Sequence, residues 1–167
     1  SCPLDSLRVL AFFIQNLFEP DKQLLFGCVI VTVVISIVLH ELAHGWAAIW
    51  QGDDTPRIAG HMTPDPMVHM GGMSLLMLVL VGFAFGAMPV NPRNFRSRYG
   101  DALVSGAGPA MNFLLAFIAL TALALWMRVG GIAEAGPAYN GQYLLKIFGR
   151  TNIALGIFNL IPVSPLD

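Results

Sequence analysis

The run from Leu24 to Trp50 limits what this chain can fold into more than any other feature. Its first sixteen residues carry no charge; His40, Glu41 and His44 then enter the same run, and Trp46 and Trp50 close it. A helix needs about 20 apolar residues to cross the hydrocarbon of a bilayer, and tryptophans at one end of a run mark a membrane–water interface. The rest of the chain agrees. It is 56% hydrophobic and 11% charged over 167 residues, with a mean hydropathy of +0.68. A soluble domain carries about 25% charged residues. So many apolar side chains exceed what one small water-soluble core can hide, and lipid supplies the missing solvent. The expected class is an all-α polytopic membrane protein.

Further segments follow from the same reasoning. Residues 7–18 are apolar but short, and read as an interfacial or re-entrant helix. Residues 51–72 are polar and rich in Pro, Gly, Asp and His, and read as a loop with short strands around Arg57 to Met62. Residues 73–88 are apolar but too short for a comfortable span, and they read as a re-entrant or spanning segment. Residues 102–127 and 143–161 complete three core transmembrane helices with 24–50, and residues 128–142 read as a Gly-rich loop. No internal repeat or linker divides the chain, so residues 1–167 form one domain. Residues 1–20 lack a basic start and a small-residue cleavage site, so no signal peptide is expected. The net charge of −1 offers nothing to nucleic acid. Cys2 and Cys28 make neither a disulfide framework nor a metal-ligand pattern.

The chemistry lies in His40-Glu41-Leu42-Ala43-His44. On a helix, residues i and i+4 share a face one turn apart, so His40 and His44 can reach one zinc ion. Glu41 sits on the flank of that face and suits a general base that takes a proton from the attacking water. Burying an ionisable side chain in a membrane costs about 2.5–3.5 kcal/mol on insertion scales. Three such groups within five residues need a compensating use, and a metal ion provides one. A catalytic zinc takes three protein ligands and keeps one open position. Asp167, behind the prolines that open the last span, is the expected third ligand, with His61 as the alternative.

Two further stretches carry a resemblance. Ser105-Gly106-Ala107-Gly108-Pro109-Ala110-Met111-Asn112 and Asn159-Leu160-Ile161-Pro162-Val163-Ser164-Pro165-Leu166-Asp167 join the histidine motif. With Met88-Pro89-Val90-Asn91-Pro92, the set resembles the site-2 protease family of intramembrane zinc metalloproteases, in its compact bacterial branch without regulatory domains. The resemblance implies a zinc metalloendopeptidase that cuts transmembrane protein substrates in or near the bilayer. It implies Asp167 as the third zinc ligand, Asn159 and Pro162 as residues that hold the substrate chain, and Asn112 as a residue facing the site. It also implies a bacterial inner-membrane location with the site open to the cytosol, and it leaves a homo-oligomer open. The family's last motif continues beyond the aspartate, so Asp167 is expected to end a C-terminally truncated core. From another class, a non-catalytic metal-binding transporter or sensor would use His40 and His44 without needing Glu41. A scaffold that binds transmembrane helices is the third reading.

The metal site also bears on topology. His40 lies toward the Trp50 end of its span, so Asp167 meets it only if the last span ends on that side. That requires 73–88 to dip in and return. The basic residues divide too evenly between the two sides to set an orientation.

Overall fold

The computed structural model describes residues 20–160. Helix α1, Pro20–Trp50, opens on a proline, which suits a first turn whose N–H has no helical partner. It runs unbroken through the apolar stretch and past both histidines. Gly52, at φ +99°, then turns the chain out of the helix. A single helical turn, α2 at Thr55–Ile58, follows.

Helix α3, Pro66–Val81, is capped by Asp65, whose side chain accepts the Met67 N–H at 2.8 Å. Gly71, at φ +66°, interrupts it, and Gly82 ends it in the left-handed conformation. The chain then doubles back in extended form. Ser74 Oγ donates to the Phe85 carbonyl at 2.6 Å and accepts the Phe85 N–H at 2.8 Å. One step further, the Ala87 N–H donates to the His69 carbonyl at 3.0 Å. Residues 73–88 thus form a hairpin of helix out and extended chain back, whose two ends lie together. A 3-10 turn at Pro92–Asn94 leads to α4, Gly100–Gly130, and then α5, Gly136–Leu160.

Helix α1 is the centre of the bundle. On one side Ile37 packs with Met70 and Leu78 of α3, flanked by Ile30, Val33, Val34, Leu75 and Ala84. On the other side lie α4 and α5, which also pack on each other. Gly149 and Gly156 of α5 allow that approach: a Cβ at Gly149 would lie 2.6 Å from Leu120, and one at Gly156 2.9 Å from Phe113. Among the described residues, two helices, Gln23–Trp50 and Gly100–Gly130, are long and apolar enough to cross a membrane. The outer face of α4 fits that solvent, with Phe117 69% and Leu125 58% exposed.

Two expectations are corrected. Residues 57–62 form no strand, and there is no strand among the described residues. Pro56 fixes a helical φ early in α2, and Gly60, at φ +72°, turns the chain just after it. The expected loop at 128–142 shrinks to a short connection between Gly130 and Gly136. Gln142 ties it down by donating to the Gly131 carbonyl at 2.9 Å and accepting the Ala133 N–H at 3.1 Å. The proposed helix at 7–18 lies outside the described residues.

Candidate metal centre

The site forms where α1 crosses the N-terminal half of α4. The two helices run antiparallel, so residues climbing α1 meet residues descending α4. His44 Nδ1 donates to the Val104 carbonyl at 2.7 Å. Pro109 supplies no N–H to the Ser105 carbonyl, which loosens the ladder beside Val104. His40 Nδ1 lies 3.1 Å from Asn112 Nδ2, and Asn112 is 1% exposed. The two histidine Nε2 atoms stand 3.0 Å apart.

One order of protons satisfies these contacts together. Asn112 donates to His40 Nδ1, His40 Nε2–H donates to His44 Nε2, and His44 Nδ1–H donates to Val104. A metal would need a lone pair on both Nε2 atoms. His44 already has it, because its Nδ1 carries the proton. His40 obtains it by moving its proton to Nδ1, where the Asn112 amide can turn its oxygen to accept.

The surroundings suit a metal. Two nitrogens at about 2.0–2.1 Å from a tetrahedral zinc stand about 3.3 Å apart, close to the spacing present here. Gly108 faces the pair, and a Cβ added there would collide with both Nε2 atoms. The position between the rings is therefore open only because residue 108 has no side chain. Glu41, 8% exposed, is buried beside the pair against the returning chain. A Cβ at Gly86 would lie 2.7 Å from Glu41 Oε1 and 2.7 Å from Ile37.

The other expected site residues separate. His61 stands against His69, with ring centroids 6.1 Å apart, and its Nδ1 bonds to the Ala59 carbonyl. Asn159 is exposed near the end of α5 and donates to the Leu155 carbonyl at 2.8 Å. Pro162 and Asp167 lie outside the described residues. Among the described residues, no group of three His, Cys, Asp or Glu could hold a metal ion.

Reasoning from the sequence missed Gly108, Gly86 and Asp53. Asp53, with no exposed surface, staples two loops around the site. Its carboxylate accepts the Asn91 N–H at 2.7 Å, the Asn94 amide at 2.8 Å, and both the N–H and hydroxyl of Thr55. Gln51 extends the staple: its carbonyl accepts the Arg96 N–H at 2.8 Å. Burial pushes the Asp53 carboxyl up, but these donors outweigh it and hold the group below the ordinary carboxylate value. The signal available in the sequence was the Asp-x-Thr spacing before Pro56, which favours a local turn.

The comparisons with known proteins agree with this geometry. The model of "Peptidase family M50" matches residues 28–140. The chain is 35% identical over 140 residues to a Bacillus subtilis protein named "Putative zinc metalloprotease YwhC", covering 83% of this chain and 64% of that one. It is 28% identical over 150 residues to a Mycolicibacterium smegmatis protein named "Putative zinc metalloprotease Rip2", covering 85% of this chain and 54% of that one. A Methanocaldococcus jannaschii protein named "Zinc metalloprotease MJ0392" is 22% identical over 147 residues, covering 88% of this chain and 34% of that one. The chain therefore spans between a third and two thirds of the length of these relatives. No solved structure gives a significant match. With its histidine pair, its glycine clearance and a family model that covers most of its length, the chain belongs to peptidase family M50, the site-2 protease family.

Proposed function

We propose that this chain is the membrane-embedded core of a zinc metalloendopeptidase that cuts transmembrane protein substrates within or beside the bilayer. The observation that carries the reading is the convergence of His40 and His44 Nε2 on a position kept clear by Gly108. His40, His44 and Asp167 hold the metal. The register of α5 supports the third ligand. Asn152 of α5 meets Ser36 of α1, and the two helices run parallel, so Leu160 leaves the bundle near the level of His44. The segment to Asp167 then starts on the correct side.

Bound zinc supplies Lewis acidity, which activates water at neutral pH and polarises a peptide carbonyl. Glu41 takes the proton released by the attacking water on its carboxylate and passes it to the leaving amine. With its amide turned so that the oxygen accepts from His40 Nδ1, Asn112 would hold His40 in the tautomer that binds metal; Val104 already does so for His44. Asn159 and Pro162 help hold the substrate chain next to this centre.

A substrate helix must unwind before its carbonyls can react. The returning chain at 83–89 offers the edge for the unwound segment. Phe85 spends both its backbone groups and Ala87 its N–H on α3, and Gly86 between them lies against Glu41. An extended substrate can pair there by strand addition.

Helices α1, α4 and α5 cross the membrane, and the 73–88 hairpin dips in and returns. The resemblance to the compact bacterial branch of the family favours a bacterial inner membrane with the site open to the cytosol. The test is Glu41→Gln in the full-length protein. Zinc content should stay at the wild-type level, while cleavage falls by about 10²–10⁴-fold. Full activity in that variant refutes the mechanism.

A further inference from the structure

Four buried side-chain polar atoms among the described residues make no hydrogen bond: Thr32 Oγ1, Asn112 Oδ1, Asn152 Oδ1 and His69 Nδ1. Three of the four lie along a single line. Thr32, Ser36, His40 and His44 follow one another at four-residue intervals, so they share one face of α1. Asn152 of α5 faces Ser36, and Asn112 of α4 faces His40. Thr32, Ser36 and Asn152 have no exposed surface at all.

A simple helix clamp does not account for this row. In an apolar helix a threonine commonly returns its hydroxyl to the carbonyl one turn back, and Thr32 does not. A clamping asparagine would use both ends of its amide. Asn152 donates twice from Nδ2, to Ser36 Oγ at 2.8 Å and to the Phe148 carbonyl at 2.9 Å, and its oxygen accepts nothing. Leaving such groups unpaired in a low-dielectric interior is costly. A buried water makes about three hydrogen bonds to polar groups of this kind. Thr32 and Ser36 are about 6 Å apart along the helix axis, a gap that water spans. Beside His40, the Asn112 amide oxygen likewise has no protein partner.

We propose that Thr32 and Ser36 of α1, with Asn152 of α5, form a water-binding site inside the bundle, continuous through Asn112 with the histidine pair. It holds ordered water one to two helical turns deeper than His40. Each peptide bond hydrolysed consumes one water, whose oxygen goes to the new carboxyl and whose protons go to the products. The row provides a store of that reactant on the side away from the substrate edge. The store's use in hydrolysis rests on the protease reading above, but its existence does not.

The test is water-to-protein magnetisation transfer by solid-state NMR on the full-length protein in lipid bilayers. The Asn152 side-chain amide and the Thr32 side chain should gain signal from water several-fold faster than Leu78, a dry residue 1% exposed on the other side of α1. Thr32→Val should slow the gain at Asn152 several-fold, and Thr32→Ser, which keeps the hydroxyl, should not. Build-up at Asn152 as slow as at Leu78 overturns the proposal, and so does an unchanged rate in Thr32→Val. The wild-type comparison decides alone if Thr32→Val does not fold. A several-fold lower kcat with unchanged KM in Thr32→Val supports the supply role, and an unchanged kcat with a hydrated site overturns that role. Full activity of Glu41→Gln would remove the protease reading and leave the NMR result standing.

Discussion

Gly108 faces both Nε2 atoms, and any Cβ there would enter the position between them. Gly108→Ala is therefore expected to lower bound zinc by about tenfold or more. Backbone stability of α4 should not suffer in itself, because alanine is favoured over glycine inside a helix by up to about 1 kcal/mol. Metal analysis of the purified variant, alongside its thermal unfolding, checks this. Full metal occupancy in a folded variant would contradict the geometry. The histidine pair was legible in the sequence because helical spacing alone puts residues four apart on one face. Gly108 was legible only as one small residue in a small-residue stretch. Its reason depends on a contact sixty-four residues away in sequence, with His44, that no local pattern contains. Asn112 shows the same limit: its place beside His40 follows from the antiparallel crossing of α1 and α4.

At the scale of elements, the loops that follow α1 and precede α4 are joined by one buried carboxylate. Asp53 receives donors from both loops and so holds the returning chain at 83–91 in place beside Glu41. Asp53→Asn removes a charge that accepts four donors and is expected to cost about 2–3 kcal/mol. Because the folded-state carboxyl is held below its ordinary value, its contribution is fully present above about pH 4. It is lost as the pH falls through the lower folded value. Unfolding of wild type should weaken over that window, and the variant should show a flatter dependence. Hydrogen exchange across residues 83–97 provides the local readout, and unchanged protection in the variant would count against the staple. Apolar periodicity and length located α1, α4 and the short segment near 73–88. They placed the ends of α4 and α5 less well, because Gly131 and Gln142 turn what looked like a long loop into a tight connection. The strands expected at 57–62 failed because Pro56 and Gly60 favour a helical turn there.

For the whole molecule, the hairpin at 73–88 and the direction of α5 decide whether one metal centre can be completed. Single cysteines replacing Arg57 and Arg93, both exposed, should be labelled from the same side of the membrane. One replacing Ala135 in the α4–α5 connection should be labelled from the other. Labelling of Arg57→Cys and Arg93→Cys from opposite sides would mean that 73–88 crosses, and Asp167 could not then reach the histidines.

The central claim is that the histidine pair of α1 is completed by Asp167. Its most direct test is the zinc content of the full-length protein with and without Asp167→Ala. About one zinc per chain is expected in the wild type, falling by about tenfold or more in the variant. Equal zinc in both would contradict the assignment and return the third ligand to another residue.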